Sequence, residues 1–264
     1  MIKINLSNVK GLLIDIEGTL YFKGKPIPHV SEAIKQMRVK GIPMRFLTNM
    51  DSKSISSVQE NLASMGLLVA TEEILSPVKV ALDLFKSHPS KRCYTLLTSE
   101  LSKEFSSYHA KKGEKVDWVV VGDIRESCSY ENFDIAFRHL MEGAELLALQ
   151  GGRYFVRNNG YHLDTGAFVH LLEYSSEKKA RILGKPSKDI FNLGLKELGL
   201  NPNEVAVIGD DITTDIIGAK EIGATSILVK TGKYKMQLTD ESHYKPDLII
   251  ESFPEIQSLI GGIE

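Results

Sequence analysis

Cysteine is nearly absent from this 264-residue chain: only Cys93 and Cys128 occur, too few for a disulfide framework. Each reads as a packed or idle thiol rather than a catalytic one, and the reducing cytoplasm is the simplest compartment to expect. Charge of one sign is missing too. Lys+Arg 32 against Asp+Glu 34 give a formal net charge of -2, which supplies no electrostatic footprint for nucleic acid and no polybasic patch for a membrane surface. Neither partner is expected. No apolar run approaches bilayer-spanning length, and the start MIKINLSNVK lacks the apolar h-region of a secretory leader. Internal repeats, low-complexity tracts and flexible linkers are also lacking. What remains is a globular chain whose 42% hydrophobic content supports a substantial core. Its length suits one large α/β domain, or a core carrying an inserted smaller domain.

Strand and helix signals alternate along it. After the run VKGLLID, the stretch PHVSEAIKQMRVKG predicts a helix with Ser31 near its start and Gly41 just past its end. A second strand, PMRFL, follows, and SKSISSVQENLASMG predicts another helix, with Ser54, Ser56 and Ser57 on a solvated face. The last third alternates again: ARILG, a helix from Lys188 to Leu198, VAVIGD, a helix through DIIGAKEIG, TSILVK and DLIIES. This is the grammar of a doubly wound, mostly parallel Rossmann-like sheet. Far more chain separates Asn49 from Lys185 than one crossover requires. YTLLTS, DWVVVGD and ELLALQ read as strands there, ENFDIAFRHLMEG and TGAFVHLLEYSS as helices, and YFVRNNGYHL as a hairpin turning at Asn-Gly. The expected organisation is an α/β core at 1–77 and 177–264 with an α/β cap inserted at 78–176.

Four aliphatic runs end in polar residues. VKGLLID closes on Asp15, PMRFL gives way to Thr48 and Asn49, ARILG to Lys185, and VAVIG to Asp210 and Asp211. Open parallel sheets bind ligands beyond the carboxyl ends of their strands, so these stretches are expected to converge on one crevice. Together they would supply a nucleophile, hydrogen-bond donors, a fixed cation and metal ligands. Taken alone, Asp15 is better explained as a turn cap, and Asp215 is equally well explained as an N-cap of the helix DIIGAKEIG.

DIEGTL, FLTNM, GKP and GDDITTD, in that order, resemble the four motifs of the haloacid dehalogenase (HAD) superfamily of phosphatases. The later stretches ILVKTGKY and PDLIIESFPEI resemble one capped subgroup of it. The resemblance implies Mg2+-dependent hydrolysis of a small phosphorylated molecule, with Asp15 forming an aspartyl phosphate. Asp15 and Asp210 would hold the metal together with the backbone carbonyl of Glu17. Lys185 would bind and neutralise the phosphoryl group, Thr48 and Asn49 would donate to its oxygens, and Asp211 and Asp215 would support the metal's waters or the lysine. One position departs from the pattern: the family usually has Asp two residues after the nucleophile, and this chain has Glu17. The acid is kept at one methylene more reach, which predicts slowed or differently assisted proton transfer. The competing expectations are a phosphotransferase of the same fold, a dehalogenase, against which the paired acids after VAVIG argue, and a catalytically weak or idle phosphate- or partner-binding module. The cap is expected to set specificity, with Asn158, Asn159 and Asp164 as possible readers of the leaving group, and a homodimer is compatible with the resemblance.

Overall fold

The computed structural model describes residues 6–157, 160–234, 237 and 244–261. Two compact units are present: Met1–Thr48, Ser56–Leu75 and Lys185–Glu264 form the first, and Asn49–Ile55 with Ser76–Gly184 the second.

In the first unit a six-stranded sheet has the order Leu248–Ile250, Thr225–Val229, Val205–Gly209, Gly11–Asp15, Met44–Leu47, Ile74–Leu75. Every pairing in it is parallel. The chain starts in the middle, builds outward through Met44–Leu47 to Ile74–Leu75, and later returns to build outward on the other side from Val205–Gly209. The direction of winding therefore reverses between Gly11–Asp15 and Val205–Gly209, which is where an open sheet leaves a crevice at its carboxyl edge. All five residues of each of these two strands are buried, as expected of parallel strands covered on both faces. Their register pairs Ile14 with Ile208, and Asp15 stands opposite Leu47 on the other neighbour. Asp15, Thr48 and Asp210 are thus delivered to one rim by backbone pairing alone.

The helices that cover this sheet follow their apolar stripes. Val30–Val39 buries Val30, Ala33, Ile34 and Met37, the spacing of one helical face, and packs with the C-terminal Phe253–Glu255 and Ile256–Leu259 turns. Its start differs in detail from the sequence expectation. His29 occupies the cap position, and the Ser31 hydroxyl donates to the Gly66 carbonyl at 3.2 Å instead of capping. Lys188–Leu198 is capped by Ser187, whose hydroxyl accepts from the Asp189 amide at 3.3 Å, and is closed by Gly199.

The second unit has its own parallel sheet, ordered Arg181–Ile182, Glu145–Ala148, Trp118–Val121, Cys93–Leu96. Its core joins Val119, Val121 and Leu146 to Ala136, Leu140, Val169 and Leu172, with Phe133 and Phe137 packed against them. Tyr154–Arg157 and Gly160–Leu163 form an antiparallel pair; the turn residues Asn158 and Asn159 lie outside the described residues.

One sequence expectation is overturned here. ARILG is not a core strand: Arg181–Ile182 pairs with Leu147 and Ala148, and the Leu183 and Gly184 amides donate to the Ala148 and Leu149 carbonyls at 2.9 Å. The backbone of this run is satisfied inside the second unit, and the chain enters the first unit only at Lys185. A short aliphatic run ending in a polar residue reads identically in either sheet, which is why sequence pattern could not separate them. Likewise the helix expected from Ser52 begins at Ile55. The residues before it are held by the second unit: Thr98 Oγ1 donates to the Ser52 carbonyl at 3.2 Å, and the Ser54 amide donates to Glu100 at 2.8 Å. Ser54 is buried rather than solvated.

Candidate active site

Asp15 closes its strand buried, 6% exposed. Its Oδ1 accepts from the Lys185 ammonium, and its Oδ2 from the Thr19 hydroxyl at 3.2 Å. The same ammonium donates to Asp215 Oδ1 at 2.7 Å, so Lys185 bridges two carboxylates that arrive from different parts of the chain. Asp215 is presented by a single π-helical turn, Ile212–Ile216, which leads into helix Ile217–Ile222. Such bulges re-aim one side chain without ending the helix. Asp210 follows Val205–Gly209 directly, and its Oδ2 accepts from the backbone amide of Lys233 at 2.6 Å. One carboxylate oxygen each from Asp15, Asp210 and Asp215 can be chosen so that all lie within 4.8 Å of one another.

Three buried carboxylates face one buried ammonium, and the pocket holds excess negative charge. Burial pushes the Asp15 carboxyl up to about 7, with Asp210 adding to the rise and Lys185 opposing it. Burial likewise lifts Asp215 to about 7, against Lys185 and with Asp15, and Asp210 to about 6, with Asp215. Burial works against the charge of Lys185, but Asp15 and Asp215 overrule it and hold the ammonium protonated. A hard divalent cation among these oxygens would relieve the repulsion, and Mg2+ chemistry asks for oxygen donors of this kind. The cradle is shaped for a carboxylate at that point. A Cβ on Gly18, whose φ is +101°, would sit 2.1 Å from Asp210 Oδ2, so only glycine leaves room for the acid.

The family profile described as haloacid dehalogenase-like hydrolase matches residues 12–111, and a second, described as HAD-hydrolase-like, matches residues 182–256. The chain is 34% identical over 246 residues to haloacid dehalogenase-like hydrolase domain-containing protein 2 of Mus musculus, covering 93% of each chain. This protein belongs to the haloacid dehalogenase-like hydrolases. Among other relatives, the HAD chain is 36% identical to phospholysine phosphohistidine inorganic pyrophosphate phosphatase of Xenopus laevis, over 90% of this chain and 88% of that one. Its fold matches that of p-nitrophenyl phosphatase from Archaeoglobus fulgidus with a TM-score of 0.87 and 28% identity, covering 95% of this chain and 98% of that one. The 4-nitrophenylphosphatase of Thermotoga maritima also superimposes with a TM-score of 0.87, at 25% identity and with 96% and 98% covered.

Of the residues singled out from sequence, the HAD core brings Asp15, Lys185, Asp210 and Asp215 together. Thr48 is buried in the same unit, its amide donating to the Leu75 carbonyl at 3.0 Å. Glu17 is exposed on the turn that follows Gly11–Asp15; its charge, after burial, helps push the nearby Tyr21 phenol up to about 12. Asn49 belongs to the second unit, where its Oδ1 lies 2.7 Å from the point a Cβ on Gly184 would occupy. Asp211 does not join the cluster. It caps the π-turn through the Thr213 amide at 2.8 Å and pairs with Lys233 Nζ at 2.7 Å. Burial raises its carboxyl, but Lys233, Gln237 and Thr213 outweigh that and hold it well below the usual carboxylate range. Sequence reasoning missed Thr19, whose only signal was its place in DIEGTL, and the amide of Lys233, which no side-chain pattern announces.

Proposed function

We propose that this HAD-type phosphoric monoester hydrolase cleaves a small phosphorylated substrate through an aspartyl phosphate on Asp15. The observation that carries the reading is the convergence of the Asp15, Asp210 and Asp215 carboxylates around Lys185. An oxygen of Asp15 attacks phosphorus, the bond to the leaving oxygen breaks, and Glu17 gives that oxygen a proton. Water then attacks the phosphorylated Asp15, passing its proton to the Glu17 carboxylate while the bond from aspartate to phosphorus breaks and inorganic phosphate leaves. Lys185, fixed by Asp215, holds positive charge against the phosphoryl oxygens, and the Thr48 hydroxyl donates to them. Mg2+, held by Asp15, Asp210 and the Glu17 carbonyl with Asp215 beside them, would supply charge neutralisation and orientation of the phosphoryl group. The names of the pyrophosphate and nitrophenyl phosphate phosphatases among its relatives support a phosphate ester or anhydride of a small molecule as substrate. The free thiols of Cys93 and Cys128 suit a reducing, cytoplasmic setting.

Hydrolysis of p-nitrophenyl phosphate with Mg2+ or with EDTA, by the wild type and by Asp15→Asn, tests the reading. Metal-dependent release of nitrophenol that the substitution abolishes supports it; equal background in every arm refutes it. Glu17→Asp, returning the shorter acid, is expected to raise kcat.

A further inference from the structure

The stretch ILVKTGKY contains three consecutive residues, Thr231 to Lys233, that each meet the acidic pocket or its rim in a different way. The Thr231 hydroxyl donates to the carbonyl of Gly18, in the turn that carries Glu17. Gly232 has a φ of +57°, and a Cβ there would fall 2.0 Å from Asp210 Oδ2 and 2.7 Å from the Gly18 Cα. The Lys233 amide donates to Asp210 Oδ2 at 2.6 Å, while its ammonium draws Asp211 aside at 2.7 Å. One short turn therefore touches the nucleophile loop, the Asp210 carboxylate and the neighbouring acid.

We infer that the Thr231–Gly232–Lys233 turn is a positioning device for the metal site, with Thr231 as its positioning residue; this rests on the metal-dependent reading above. A carboxylate at the end of a strand rotates about two bonds, and ordering it on cation binding has an entropic cost. The Lys233 amide holds the Asp210 carboxylate in place through Oδ2 before any ion arrives. The absence of a side chain at Gly232 lets the turn approach closely enough to make that contact. Thr231 ties the same turn to Gly18, so the loop after Asp15 and the carboxylate of Asp210 are held at one spacing by a third segment. Lys233 keeps Asp211 engaged with its own ammonium, so one of the two adjacent acids is committed elsewhere.

The test reads metal binding directly. Mg2+ is titrated into wild type, Thr231→Val and Thr231→Ser, following the melting temperature and, in parallel, the heat of binding. Thr231→Val keeps the shape and loses the hydroxyl; a hydrogen bond of this kind corresponds to a shift of up to about tenfold in an equilibrium. The half-saturating Mg2+ concentration is expected to rise by up to that factor, with the melting temperature in EDTA lowered by no more than a few degrees, and Thr231→Ser is expected to restore both. Gly232→Ala is expected to weaken binding further by displacing Asp210; should it fail to fold, the Thr231 pair decides. A Thr231→Val titration that overlays the wild type overturns the inference alone, as does a Thr231→Ser variant as impaired as the valine. A wild type that gives no Mg2+ response removes the metal reading and this inference with it.

Discussion

Replacing Lys185 with methionine keeps the length of the side chain and removes the one ammonium between Asp15 and Asp215. The side chains involved are 4%, 7% and 1% exposed, so water cannot take over the lost contacts. Asp15 would retain the Thr19 hydroxyl, and Asp215 the Asp211 amide at 3.3 Å, which satisfies oxygens without cancelling charge. Removing one partner from a buried pair costs about 3–5 kcal/mol, and in a unit of this size each kcal/mol moves the melting temperature by about 2–4 °C. A fall of roughly 6–20 °C is expected in EDTA at pH 8. At pH 6 the loss should shrink, because Asp15 and Asp215, already lifted to about 7, take up protons and shed the repulsion. The assay is thermal unfolding by circular dichroism at both pH values, with Asp215→Asn and the double variant completing a cycle. The double variant should lose less than the sum of the two single ones. A loss below about 1 kcal/mol at pH 8, the range of exposed pairs, or a loss of equal size at pH 6, refutes the view that Lys185 neutralises a buried pair.

Three further outcomes follow from the same chemistry. In the metal-free protein Asp15 and Asp215 ionise in the folded state near pH 7 but near 3.8 when unfolded. The folded state therefore holds more protons in between, and stability falls as pH rises through that window; Mg2+ should recover more melting temperature at pH 8 than at pH 5. Asp51, in the second unit, is likewise lifted to about 7 by burial, with Asp164 and Asp123 adding and the Thr165 hydroxyl opposing. Asp51→Asn should gain stability over wild type as pH rises from about 4 to about 7 and hold that gain above it, by up to a few kcal/mol; a difference in melting temperature independent of pH contradicts this. Gly18→Ala must place its Cβ 2.1 Å from Asp210 Oδ2 at a φ of +101°. Phosphatase activity should fall at least about a hundredfold through displacement of Asp210, measured as kcat at saturating Mg2+.

The parts of this architecture legible in sequence are those where chemistry sits at the end of a buried strand. Asp15 and Asp210 could be placed because the apolar runs GLLI and VAVIG lead straight into them, and parallel pairing then fixes the rim. Lys185 was found through motif order, although the run before it belongs to the other sheet; identity and location are separate kinds of information. Asp215 was ambiguous because a π-turn and an ordinary N-terminal turn have the same composition, and the extra residue that swings it onto Lys185 leaves no compositional trace. Asp51 could not be read as buried, since DSKS has the polarity of a solvated helix entrance and its partner Thr165 lies 114 positions away. Thr231 and Lys233 were invisible for a related reason: one acts on a carbonyl and the other through its amide, and neither contact depends on a periodic pattern.

The strap Asn49–Ile55 bears on how such enzymes can be recombined. Thr98, Glu100, Asp123 and Thr165 all grip it, although it lies in sequence between two pieces of the first unit. Excising 76–184 alone would strand the buried Asp51 carboxylate without its hydroxyl donor, and grafting a relative's insert there would confront it with foreign neighbours. The transplantable module is therefore discontinuous, and a chimera that exchanges both segments together should express and melt cooperatively where a single-segment exchange does not.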